Sequence, residues 1–231
     1  MHALTTTRPT ARLTSLCYLC GMVAGPLFVV VFLVEGATRA DYSPSRHPVS
    51  SLALGDLGWV QSATFVVAGL LTLAFAIALR HAIPVRGKGS RFGATLVGIW
   101  AIGLIGAGVF VTDPVNGYPP GTPDTPPQYS VSGALHDLLF SLPGFLALAA
   151  ACFVFARHFG RLGQPAWAVY STATGAIFAT GFVLTTLGFA QSQGFVDIAG
   201  LLQRLTVIVG WAWLTLLAVH LLRTTQDIDS I

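Results

Sequence analysis

Charge is what this chain has least of. Asp, Glu, Lys and Arg make up 9% of its 231 residues, where a soluble domain carries roughly 25%. So few charges cannot cover a water-facing surface, so a soluble globular fold is excluded. Hydrophobic residues make up 54%, and mean hydropathy is +0.72. Cysteine is also scarce, with only Cys17, Cys20 and Cys152. None falls in a segment assigned to an oxidising compartment, so no structural disulfide is expected. Cys17 and Cys20 have CxxC spacing without the βαβ context of a redox motif, and they read as packing residues. No HxxxH or HExxH spacing and no nucleophile elbow occurs. Basic residues are too scattered to form a phosphate-binding patch, so the net charge of +3 and pI near 9.0 do not indicate a nucleic-acid partner.

Apolar length is what the chain has in excess. Crossing a bilayer takes about 20 apolar residues in a helix. Six stretches qualify: Leu13–Val34, Leu57–Leu79, Phe92–Thr112, Gly133–Ala156, Ala166–Ala190 and Gly200–Leu222. Backbone groups in lipid must be satisfied within the segment, so helices are expected. The fold class is therefore all-α, a polytopic bundle of six transmembrane helices forming a single membrane domain over residues 1–231. The first stretch is longer than the roughly 7–15 residues of a signal-peptide core and is kept as a span. No repeat relates the two halves, which weakens an inverted-repeat transporter reading.

The charges sort by connector. Arg8, Arg12, Arg80, Arg86, Lys88, Arg91, Arg157, Arg161 and Arg223 fall on the side of the termini. Glu35, Asp41, Asp56, Asp113, Asp124, Asp137 and Asp197 fall on the other. Positive connectors stay inside, which predicts cytoplasmic termini in a plasma (inner) membrane. The inner connectors carry Pro84, Gly87 and Gly89, then Gly160 and Gly163, and read as tight turns. The outer connectors, about Glu35–Asp56 and Asp113–Ser132, are longer. The second contains Pro114, Pro119, Pro120, Pro123, Pro126 and Pro127, which forbid a helix. These loops are either a lid over an outward cavity or plain linkers. Pro26 and Pro143 are expected to kink their helices.

Polar side chains gather at the outer helix ends. Arg204 lies roughly 6 Å below the start of its helix, where a charge needs a partner. Asp137, Asp113 and Glu35 are the carboxylates available to it. Asp113, His136 and Asp137 are the catalytic candidates. Glu35, Arg39, His47, Ser50, Gln203 and Arg204 are candidates for binding or orienting a substrate. Each also has a structural reading. Glu35 and Arg39 form an i,i+4 pair, and Ser50 can cap the second helix or its approach. His136-Asp137 can be a capping pair, and Arg204 a structural ion pair. His47, Asp113, His136 and Asp137 can together ligate a divalent metal. Ser50 with a His and an Asp can form a nucleophilic triad. A carboxylic acid kept neutral in apolar surroundings can protonate a lipid. The residues do not separate these chemistries, and no cofactor follows from them.

The run Glu35-Gly36, Arg39, Tyr42, His47-Pro48-Val49-Ser50, Leu52, Leu54-Gly55 and Gly58-Trp59-Val60-Gln61 resembles the signature of the bacterial domain-of-unknown-function 998 family. So do Phe110, Asp113-Pro114, Gly133, Leu135-His136-Asp137, Gly200-Leu201 and Gln203-Arg204. The resemblance runs from about Tyr18 to Leu222 and implies a six-helix integral membrane protein. The activity of that family is unassigned, so it implies no catalytic residues. Three readings stay open. The first is a membrane-embedded enzyme acting on a lipid or isoprenoid substrate. The second is a lipid or small-molecule binding protein or transporter. The third is a structural protein locked by ion pairs.

Overall fold

A computed structural model of the chain describes residues 8–80, 88–125 and 128–229. Pro84, Arg86 and Gly87 of the first turn, and Pro126 and Pro127 of the proline-rich loop, lie outside them. The helices are α1 (Arg8–Thr38), α2 (Gly58–Leu79), α3 (Lys88–Val109), α4 (Val131–Arg161), α5 (Pro165–Phe189) and α6 (Ala199–Asp229). All six are long and apolar enough to cross a membrane. Among the described residues there is no strand beyond an isolated bridge between Val115 and Tyr118. The protein is an all-α, multi-pass membrane protein.

The spans agree with the hydropathy reading, and the differences have local causes. α3 stops at Val109, three residues before the expected end. Val111 and Thr112 are β-branched, and Asp113 precedes a proline, which disfavours the helical region. α4 starts earlier, at Val131, because Ser130 caps it: the Ser130 hydroxyl accepts from the Gly133 N–H at 3.0 Å. Residues Leu135–Ser141 of α4 form a π-helical turn just before Pro143. Pro143 has no N–H for the preceding turn and its ring crowds the carbonyls there, so the wider turn relieves both. α1 runs through Pro26 without a break.

Each helix packs on its neighbours in sequence, and α6 returns to α1, closing a ring of six. Large aromatics fill its centre. Phe28 of α1 meets Phe65 of α2 at 5.1 Å and Trp211 of α6 at 5.5 Å between ring centroids. Trp100 of α3 meets Trp211 at 5.8 Å. Buried rings of this size contribute large contact areas where lipid supplies no hydrophobic drive between helices.

The two long connectors cover one end of this ring. In the first, Val49–Ala53 form a short 3-10 helix whose five residues are all buried. In the second, Tyr118 is buried against Tyr42 and His47, each at 5.2 Å between centroids. The Asn116 side-chain amide donates to the Arg46 carbonyl at 3.2 Å and accepts from Gln191. The connectors thus fold on each other and into the bundle, which is the lid arrangement and not that of free linkers.

Candidate functional site

Under this cover is a cavity of about 410 Å3, within the range of small-molecule sites. All six helices and both long connectors contribute to its wall. Its body is apolar, built from Phe28, Phe65, Trp100, Phe145, Phe182 and Val207. Trp100 lies about 14 Å below the end of α3, so the cavity reaches well into the spans. Its polar residues include Ser50, Asp113, Tyr129, His136, Asp137 and Gln203, with the hydroxyls of Thr112, Ser141, Thr185 and Thr186. The two carboxylates, the imidazole, the phenol and the amide all belong to the connectors or the first turns of α4 and α6, so the strongly polar groups lie at the long-connector end.

His136 is held by the frayed end of α3. The last carbonyls of a helix have no intrahelical donor. His136 Nδ1 lies 3.0 Å from the Ala107 carbonyl and 2.8 Å from that of Phe110. Two acceptors require a proton on Nδ1, so the neutral ring carries its lone pair on Nε2. Nε2 is turned toward Asp137, 3.9 Å from its carboxylate. The ring is nearly fully buried, in edge contact with Phe65. Backbone carbonyls here do the orienting that a carboxylate does in a catalytic triad.

Asp113 ties α3 to α4. Its carboxylate accepts from the Ser130 backbone N–H at 2.8 Å and from the Ser130 hydroxyl at 2.7 Å. A negative charge is favourable at the start of α4. The approach requires Gly133, because a Cβ there would sit 1.8 Å from Asp113 Oδ2. The hydroxyl of Ser132 donates to the Val111 carbonyl at 2.8 Å and adds to the same junction.

Asp137 differs from Asp113. Its carboxylate has no hydrogen-bond donor among the described residues, and His136 is its nearest charge partner. Tyr129 stands close enough to feel both acids. Burial, then the negative charges of Asp137 and Asp113, push its phenol above the ordinary value of 10.0, so it stays a neutral donor. Gln203 spends its carbonyl on the Val49 N–H at 2.7 Å, pinning the 3-10 helix to α6. Ser50 sits on that 3-10 helix and lines the cavity. It does not cap α2, whose N-cap position is Leu57, without a side-chain cap.

The remaining candidates form a separate group outside the cavity wall. Arg204 was expected to meet a carboxylate. Its Nη1 instead donates to the carbonyls of Pro44 (2.6 Å), His47 (3.0 Å) and Gly200 (3.0 Å), and its Nη2 to the Tyr42 hydroxyl. The folded connector presents two carbonyls and the first turn of α6 a third to one guanidinium, whose fork of donors suits them. Tyr42 in turn donates to the Pro48 carbonyl at 2.8 Å. Burial pushes its phenol up to about 12. His47 Nδ1 accepts from the Ser43 N–H at 2.9 Å, and burial holds its imidazole below the ordinary 6.5. Glu35 and Arg39 pair at 2.8 Å, and Arg39 also donates to the Leu54 carbonyl at 3.0 Å.

The nine candidate residues therefore separate. Asp113, His136, Asp137, Ser50 and Gln203 share the cavity, whereas Glu35, Arg39, His47 and Arg204 fasten the connector that covers it. The metal set of His47, Asp113, His136 and Asp137 is split between the two groups. Among the described residues, no three His, Cys, Asp or Glu side chains are grouped to hold a metal ion. Sequence reasoning passed over Tyr129, Trp100 and Thr185, which also line the cavity. Tyr129 follows the proline run, where an aromatic residue stands out. Nothing local distinguishes Trp100 or Thr185 from packing residues.

Neither the curated proteins nor the solved structures contain a match to this chain. A family model described as "Protein of unknown function (DUF998)" matches residues 22–220, and the chain belongs to that family.

Proposed function

We propose that this protein is a membrane-embedded enzyme that moves a proton on a lipid or isoprenoid substrate held in the cavity. In this reading the long connectors face the outside of a plasma membrane and the termini are cytoplasmic. The observation that carries it is the geometry of His136. Its Nδ1–H is anchored by two backbone carbonyls, and its Nε2 is turned toward a cavity-lining carboxylate. The neutral ring accepts a proton from the substrate at Nε2. The resulting imidazolium is stabilised by Asp137 beside it and by the carbonyls behind it, and it then returns the proton to the product. General acid–base catalysis of this kind contributes roughly 100-fold or more. The apolar body supports a hydrocarbon chain as the bound part, with the reacting group at the polar rim.

The test is turnover of an extracted lipid and isoprenoid mixture by full-length protein in nanodiscs, followed by mass spectrometry. His136→Gln and Asp137→Asn should lose conversion while keeping the wild-type melting temperature. A wild type that alters no component, or variants that convert as fast, would overturn the reading. The structural reading is favoured for Glu35, Arg39, His47 and Arg204 alone, because Arg39, His47 and Arg204 bond to the connector backbone and Glu35 pairs with Arg39.

A further inference from the structure

The charge of the cavity is one-sided. Its wall includes the carboxylates of Asp113 and Asp137 and no lysine or arginine. The arginines at that end of the bundle are all engaged elsewhere. Arg39 is bound to Glu35 and the Leu54 carbonyl. Arg46 pairs with Asp124 at 2.8 Å. Arg204 is enclosed by three carbonyls and the Tyr42 hydroxyl. An anionic head in this cavity would meet two like charges and no cation.

One further feature bears on the sign of an occupant. Aromatic rings, among them Tyr129 and Phe140, stand beside the acids in the wall. Ring faces attract cations.

We infer that the cavity binds an amphiphile with a cationic head, a protonated amine or quaternary ammonium, and discriminates against phosphate and sulfate heads. Asp137, whose carboxylate lacks a donor of its own, is the counter-ion. Asp113 adds its charge from the α3–α4 junction, and the hydrocarbon chain runs past Trp100 toward the centre of the ring. The inference rests on the reading of the cavity as an amphiphile site, and it adds the sign of the head.

The test uses the full chain in nanodiscs of uncharged glycolipid. Three probes share a dodecyl chain and carry a trimethylammonium, a hydroxyl or a sulfate head. Each is titrated below its micelle concentration by calorimetry. The ammonium probe should bind at least roughly tenfold more tightly than the sulfate probe. Asp137→Asn should bring the ratio close to one. The sulfate probe binding as tightly as the ammonium probe would overturn the inference. So would a preference that survives both Asp137→Asn and Asp113→Asn. Binding of all three probes with equal affinity overturns the head-charge assignment alone and leaves the amphiphile site standing. Binding of none overturns both. Since Asp113→Asn also loosens a helix junction, Asp137→Asn is the deciding variant, and its melting curve checks its fold.

Discussion

Two polar clusters stand side by side under the same pair of connectors, and they differ in what is left over. Around Arg204, the guanidinium itself is fully engaged: the carbonyls of Pro44, His47 and Gly200, the Tyr42 hydroxyl and the Ser43 N–H are all paired, and the buried Oε2 of Glu35 is the exception in the group. Around His136, capacity remains. Asp137 has no donor, and the His136 lone pair meets only a carboxylate 3.9 Å away. The first cluster is closed on itself and holds a fold. The second opens onto a cavity and has something to offer a ligand. Residue types alone do not separate them, since both hold His with Tyr and a charged partner.

The comparison breaks most readily at Arg204. Arg204→Ala leaves three carbonyls and a phenol without their donor, and should destabilise the protein by on the order of 3 kcal/mol. Thermal unfolding in detergent measures this, and an unchanged melting temperature would mean that the cluster is not a lock. Asp137→Asn should behave in the opposite way. Stability should stay within about 0.5 kcal/mol, while turnover falls by about 100-fold. A loss of stability matching that of Arg204→Ala would erase the distinction between the clusters.

Gly133→Ala should cost about 1–3 kcal/mol, because its Cβ collides with the Asp113 carboxylate. Adding Asp113→Ala removes the obstacle, so the double variant should be more stable than the sum of the single effects implies. Strict additivity in that cycle would show that the contact is not the cause.

Acidity sharpens the comparison further. His47 has its folded value depressed below 6.5 by burial, so the unfolded chain binds the proton more readily. Stability is therefore present above about pH 6.5 and falls on acidification below it. Tyr42 has its folded value raised from 10.0 to about 12, so the folded chain keeps its proton longer, and stability falls as pH rises above 10. Melting temperature measured across pH should show both slopes, and His47→Gln should flatten the acid one. The smallest effect is expected at Arg46. Its pair with Asp124 joins side chains 30% and 57% exposed, and Arg46→Ala should change stability by less than about 0.5 kcal/mol.

Much of this architecture was legible along the chain. Hydropathy located six spans because transfer into lipid depends on each segment's own side chains. The α3 terminus was misjudged because the proline after Asp113 acts backwards on residues that are themselves apolar. Pro143 signalled a distortion in α4, but not that it would take the form of a π-helical turn carrying His136 and Asp137. Among the site candidates, the Glu35–Arg39 pair was readable from i,i+4 spacing. The carbonyl partners of Arg204 were not, because carbonyls carry no sequence signature.

By itself, then, the amino-acid order determined an all-α membrane bundle, its connector lengths and the gathering of most acidic residues at one end. These follow from local physics: apolar run length, proline and helix capping. Only the tertiary structure decided which polar residues fasten the connector and which face the cavity. A buried donor is satisfied by whatever acceptor the fold brings near, and for Arg204 that is Pro44, 160 residues away. The same long-range closure left Asp137 without a donor beside an apolar cavity, and it is this leftover capacity on which the proposed site rests.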